Sequence, residues 1–232
     1  MNAFSVGNGS LWLGDCLELM RSIPDGSVDC IVSDPPYRTI SGGTESDHAK
    51  GWNSSVLHAN NGKIFKHNDV KLSEYLPILF RILKPGSHCY LMTNNLNLRE
   101  LLNVAENVGF GFHNLLIWLK NNATANRWYM KNTEYTVFLY KKPANRINNA
   151  GSKQVFQFDN PRNKLHPTEK PIELMRHYIE NSSQSGELIL DPFSGSGTTA
   201  VAAQAADRRW LCIEKDPAYY YASCGRVWKA CQ

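Results

Sequence analysis

The residues able to do chemistry gather in two short segments far apart in the chain. Asp34, Pro35, Pro36 and Tyr37 follow directly on an apolar run over residues 28–33. Prolines stiffen the backbone and lack an N–H, so the carbonyls of Asp34 and Pro35 stand out as fixed acceptors beside the Asp34 carboxylate. The exocyclic amino group of a nucleobase offers two N–H donors and a lone pair delocalised into its ring. Accepting both hydrogens favours a pyramidal nitrogen and frees that lone pair for an electrophile. Tyr37 can stack on a base drawn out of a duplex. The plain alternative is a stiff connector with Tyr37 packed as core.

The second segment is a glycine-rich turn. Residues 188–190 read as an apolar strand, and 191–197 (Asp191, Phe193, Gly195, Ser196 and Gly197 among them) as the turn. A small-residue helix starts at Thr198 and spans 198–206, and a second strand over 210–213 ends on Glu214. This is a βαβ unit, so its two strands should be parallel. Glycines at such a joint let a ligand approach the backbone amides at the helix start. Glu214, 19 residues after Gly195, stands where an acidic side chain can bind the two hydroxyls of a ribose. A lone G-x-G also closes ordinary strand–helix joints. The combination with Asp191 and Glu214 points to a nucleoside cofactor.

The elements that must hold these segments alternate. Strands are predicted at 28–33, 88–92, 115–119 and 135–140, and helices at 72–83, 98–108 and 171–181. Lys84-Pro85-Gly86 and Gly109 act as stop signals. Alternation of this kind gives a mostly parallel sheet covered on both faces. Only 18 residues follow Glu214, too few to complete such a sheet, so the remaining strands come from earlier in the chain. The cofactor half therefore comes second, a permuted order that argues against a nicotinamide-binding domain. Two irregular stretches interrupt the pattern. Residues 38–69 read as a functional or mobile loop, and 141–165 are basic and equally irregular.

The formal net charge is +4, and its distribution matters more than its size. Residues 120–166 hold nine basic side chains (including Lys120, Arg127, Lys131, Lys141, Lys142 and Arg146) against Glu134 and Asp159 alone. A basic strip on an otherwise mildly acidic protein suits a polyanion, most commonly nucleic acid. Arg127, Trp128, Tyr129 and Lys131 together combine phosphate contact with base stacking. An exposed hairpin with a buried tryptophan is the competing reading.

Six cysteines at 16, 30, 89, 212, 224 and 231 show no C-x-x-C spacing, and the seven histidines do not cluster. Reduced structural thiols and no metal site are expected. The N-terminal residues do not read as a signal peptide, and no apolar run reaches the ~18 residues of a membrane span. A cytoplasmic protein is expected.

Four blocks in this order resemble the permuted, β-group amino-methyltransferases of DNA. LGDCLELM (13–20) is similar to the strand end that holds the cofactor's adenine, with Asp15 and Cys16 in that role. SDPPY (33–37) resembles the catalytic motif, through Asp34, Pro35, Pro36 and Tyr37. HPTEKPIELM (166–175) resembles the helix start that completes the methionine pocket, with Thr168 and Lys170 meeting its carboxylate. DPFSGSGTT (191–199) and IEKDPAYY (213–220) resemble the cofactor loop and the ribose-binding strand end. Bland alternatives accompany these roles. Asp15 could cap a helix begun at Cys16, Lys170 could be a solvated lysine, and Asp191 could chiefly shape its turn. Glu134 and Tyr135 resemble a strand lining the target-base pocket, although an aromatic there serves equally as core. The chain departs from larger family members in lacking a substantial target-recognition insert ahead of residue 166.

The resemblance implies one α/β domain over 1–232, a Rossmann-like fold with a seven-stranded, mostly parallel sheet and helices on both faces. It implies S-adenosylmethionine as cofactor, S-adenosylhomocysteine as product, double-stranded DNA as partner, and N6 of adenine as target. Asp34 and the Pro35 carbonyl polarise the amino group, Tyr37 holds the flipped base, and the amine attacks the methyl in one in-line displacement. N4 of cytosine is the alternative, followed by RNA or a protein glutamine, and then by a binding module with a vestigial site. A restriction partner and a homodimer stay open.

Overall fold

The computed structural model describes residues 2–36, 70–124, 129–161 and 169–232. It holds a single sheet of nine strands, against the seven expected. The sheet opens with a hairpin, β1 (Asn2–Val6) and β2 (Gly9–Leu13), closed through Gly7 at φ +55°. The central strands are β3 (Val28–Ser33) and β4 (Leu83–Thr93), followed by a long antiparallel ribbon, β5 (Gly111–Thr124) and β6 (Lys131–Tyr140). A short β7 (Val155–Gln157) lies inside the stretch read as irregular, and β8 (Leu188–Asp191) and β9 (Arg209–Glu214) complete the set. The two strands beyond the expected seven are edge elements, β1 and β7. A five-residue, largely exposed strand and a three-residue one leave little hydrophobic period to read.

Spatial order is β1-β2-β9-β8-β3-β4-β6-β5-β7. The run from β2 to β4 is parallel throughout, and antiparallel pairing enters at β1–β2, β4–β6 and β6–β5. Helices cover both faces. Alternation along the strands splits the core accordingly. Cys30, Val32, Tyr90, Ile189 and Cys212 pack with α4 (Ile172–Ser182), α5 (Thr198–Ala205) and α6 (Pro217–Ala230). Ile31, Cys89, Leu91, Leu190 and Ile213 pack instead with α1 (Cys16–Leu19), α2 (Leu72–Ile82) and α3 (Leu98–Val108). Each fully buried aliphatic side chain contributes about 1.5–3 kcal/mol, so both layers are strongly held. All six cysteines are free thiols. Among the described residues no helix is long and apolar enough to cross a membrane.

The topology fixes where a ligand can sit. From β8 the chain crosses through α5 to β9 on one side, whereas from β3 it leads through α2 to β4 on the other. The direction of winding reverses between β8 and β3. A crevice therefore opens outside their carboxyl ends.

Candidate active site

Four adjacent parallel strands, β2, β9, β8 and β3, each deliver a carboxylate at or just past the carboxyl end. In sheet order these are Asp15, Glu214, Asp191 and Asp34. With strands about 4.8 Å apart, the row spans about 14 Å.

The first three each accept at least one backbone amide. Asp15 caps α1, accepting from Leu17 N at 2.8 Å, and pairs with Lys215 at 3.0 Å. Burial lifts its carboxyl, but Lys215 and the helix amides hold it below the ordinary value. Asp15 thus caps the helix, as the plain reading has it, and stands just past the carboxyl end of β2. Cys16 is buried in the core, and burial raises its thiol to about 12, so it stays protonated. Glu214 accepts from Gly195 N at 2.7 Å and Asp216 N at 2.8 Å, through different oxygens. Each oxygen keeps a second lone pair, so two hydroxyl donors can still be accepted. Asp191 accepts from Ser33 Oγ at 2.6 Å and Phe193 N at 3.0 Å. Burial pushes both Glu214 and Asp191 up to about 6.

The turn is shaped by Gly195 at φ +52° and Gly197 at φ +77°, left-handed conformations open to glycine. Gly197 starts α5, and a Cβ there would meet Ser223 Oγ at 2.2 Å, so close packing on α6 also demands glycine. Phe193 packs edge-on against Tyr75 of α2, with centroids 5.1 Å apart. Ser196 and Thr198 are buried, and both accept from Arg226 of α6, at 3.0 and 3.1 Å. Arg226 also pairs with buried Glu169 at 2.7 Å. This arginine braces the loop against the segment ahead of α4. The sequence reading missed it, because a lone arginine in an amphipathic helix carries no spacing signal.

Asp34 is held differently. Its Oδ2 lies 2.5 Å from Lys170 Nζ, while among the described residues its buried Oδ1 has no hydrogen-bond partner. Lys170 is 4 % exposed and also lies 3.3 Å from Glu134 Oε2, and Glu134 is paired in turn with Lys120. Lys170 is therefore not a solvated lysine; its ammonium is shared by two protein carboxylates. Burial raises the Asp34 carboxyl, opposed by Lys170. Burial also lifts Glu134, but Lys170 and Lys120 bring it below the usual range. Pro35 is buried and Pro36 half-buried. Tyr37 and Thr168 lie outside the described residues.

The basic strip divides between opposite edges of the sheet. Thr93 pairs with Tyr135 and His88 with Tyr140, so β6 begins on the edge that carries Asp34 and ends on the other. Lys131, four residues before Tyr135, stands about 13 Å beyond that register on the Asp34 edge. Tyr129 and Met130 beside it are 93 % and 62 % exposed. Lys142 and Arg146 are exposed near the opposite edge. Lys141 there donates to the Phe80 and Leu83 carbonyls at 2.7 and 2.8 Å, satisfying the end of α2. The fold thus gives Lys141, Lys142 and Arg146 no place on the edge of Asp34, correcting the picture of one continuous strip. Pairing register, which composition does not reveal, decides this. Arg127, Trp128 and residues 38–69 lie outside the described residues.

Known proteins resemble the chain throughout. It is 27 % identical to the type II methyltransferase M2.MboI of Moraxella bovis, over 90 % of this chain and 84 % of that one. It is 28 % identical to the type II methyltransferase M.HinfI of Haemophilus influenzae, over 89 % of this chain and 64 % of that one. The fold is similar to the crystal structure of the M1.HpyAVI–SAM complex, with TM-score 0.71 and 22 % identity over 93 % of this chain and 98 % of that one. It is also similar to PvuII DNA methyltransferase (cytosine-N4-specific), with TM-score 0.73 and 19 % identity over 96 % and 87 %. A family model for the N6/N4 DNA methylases matches residues 28–224, both chemistry-bearing segments included, and the chain belongs to that DNA methylase family.

Proposed function

We propose that the protein transfers a methyl group from S-adenosylmethionine to N6 of adenine in double-stranded DNA, in the cytoplasm. The observation that carries this is the buried Oδ1 of Asp34 at the crevice, without a hydrogen-bond partner among the described residues and one strand from the glycine turn. An exocyclic amino group supplies the missing donor.

The residues present fit the cofactor. Glu214 keeps lone pairs for two ribose hydroxyls, Asp15 stands one strand away for the adenine, and Asp191 lies between Glu214 and Asp34 for the amino-acid end. Bound S-adenosylmethionine supplies an electrophilic methyl group. The chain's own task is positioning and electrostatics. Asp34 accepts one amino hydrogen, and the Pro35 carbonyl is the fixed second acceptor. Tyr37 stacks on the extruded base. For the duplex, the β5–β6 arm offers Lys131, Tyr129 and Met130, joined by Arg127, Trp128 and residues 38–69.

Asp at the head of the tetrapeptide favours adenine, as in most adenine-specific relatives of the family. The fold's likeness to a cytosine-N4-specific enzyme supports N4 of cytosine as the second reading. Incubation of the purified protein with DNA and tritiated S-adenosylmethionine, followed by nucleoside mass spectrometry, decides between them. N6-methyladenine is the expected product. N4-methylcytosine alone would replace the adenine assignment, and no methylated base would remove the proposal.

A further inference from the structure

We propose that Lys170 is a positioning residue for methyl transfer: shared between Asp34 and Glu134, it keeps the Asp34 carboxylate ionised and leaves Oδ1 bare for the target amino group. The inference rests on the amino-methyltransferase reading and assigns Lys170 a role distinct from cofactor binding.

Three observations carry it. Lys170 is almost fully buried, and a buried ammonium persists only when paired. It contacts Oδ2 of Asp34 at 2.5 Å and leaves Oδ1 without a partner among the described residues, so one oxygen is anchored and the other open. Glu134, 3.3 Å away on β6, draws on the same ammonium and is paired on its far side with Lys120 of β5. The result is a chain of alternating charge across the floor of the site: Asp34, Lys170, Glu134, Lys120.

The surroundings explain why Asp34 needs it. The groups that act on the carboxylate are Lys170 ahead of α4, Glu134 on β6 and Lys120 on β5, and Asp34 in turn faces Asp191 on β8 and Tyr75 on α2. Burial and the carboxylate of Glu134 favour protonation, and Lys170 opposes them first. A protonated Asp34 is a much weaker acceptor for an amino hydrogen. Removing Lys170 therefore demands a higher pH for the same chemistry, and neutralising Glu134 demands a lower one.

The test is single-turnover methyl transfer to DNA as a function of pH, with cofactor affinity by calorimetry and ¹³C NMR titration of the aspartate carboxyls. For Lys170→Met, the ratio of rates at pH 8.5 and pH 6 rises at least about tenfold over the parent's, with cofactor affinity within about threefold. Lys170→Arg restores most of the parent profile, and Glu134→Gln shifts the acid limb toward lower pH. A residue with a merely structural role would not give opposite shifts. Weakened cofactor binding in Lys170→Met with an unmoved pH profile overturns the proposal and returns Lys170 to the cofactor. Should Lys170→Met fail to fold by circular dichroism, Glu134→Gln alone decides, and an acid limb that stays put overturns the proposal. A parent protein that transfers no methyl removes the underlying reading as well, an outcome distinct from a parent that transfers with an unmoved limb in the variants.

Discussion

The two halves of the crevice, proposed to hold the cofactor and to carry the chemistry, are built differently. Asp191 and Glu214 are satisfied mainly by hydrogen bonds from nearby amides and a hydroxyl, most of them within the β8–α5–β9 unit and its flanks. Asp34 is held by an ammonium 136 positions away in the chain and, among the described residues, keeps one oxygen without a hydrogen-bond partner. A self-satisfied carboxylate makes a pre-formed binding surface. A half-satisfied one is an acceptor in need of a donor, and a bound ligand can supply that donor. Binding and chemistry are therefore separable, and substitutions should separate them.

The largest effect is expected at Asp34. Asp34→Ala should lower the rate constant for methyl transfer by 10²-fold or more, the order seen when a preorganised polar group is lost from an active site, with cofactor affinity within a few fold. Near-parental turnover would show that the open oxygen is not catalytic.

Next is the brace. Arg226→Ala removes an ion pair from buried Glu169 and a charged donor from the Ser196 and Thr198 hydroxyls. A loss of about 3 kcal/mol in unfolding free energy is expected, together with weaker cofactor binding. Unchanged denaturant midpoints would mean the glycine turn holds itself.

Glu214→Ala should weaken cofactor binding by about 1–3 kcal/mol by calorimetry, without the collapse in rate at saturating cofactor predicted for Asp34→Ala. The pH dependence sharpens the same contrast. Glu214 and Asp191 are both raised to about 6, so the native state binds their protons more tightly than the unfolded chain does. Their contribution to stability is fully present below the ordinary carboxylate range and is lost as pH rises through about 6. Cofactor affinity should run the other way, falling as pH drops through about 6, because a protonated Glu214 is a poorer acceptor for hydroxyls. Parallel trends in calorimetric affinity and thermal midpoint would contradict these roles.

The smallest effect concerns charge. Lys131→Gln should make the dependence of DNA affinity on salt shallower, by about 0.9 in the log–log slope if Lys131 meets one phosphate. The pair Lys142→Gln and Arg146→Gln, near the opposite edge, should change the slope by much less. Equal changes would extend the DNA path around the sheet.

What the sequence determined by itself was local. The strand, glycine turn, helix and strand over 188–214 were legible because the punctuation and the apolar runs that define them are contiguous. The span expected for α3 is the span observed, closed by Gly109 at φ +111°. Asp34, Asp191 and Glu214 were legible as site candidates because each sits at a strand end beside a chain-turning motif. Only the tertiary structure decided who neutralises Asp34, what braces the glycine turn, and which bases share an edge with the site. Lys170, Glu134 and Lys120 come together through the sheet order β3-β4-β6-β5, with α4 entering over it, and Arg226 reaches Ser196 through the docking of α6. Pairing register and helix packing are set by many weak contacts summed over the whole core, so no window of sequence contains them. The edge strands β1 and β7 escaped for the same reason: their own residues bury too little to mark them, and it is pairing with β2 and β5 that makes them strands.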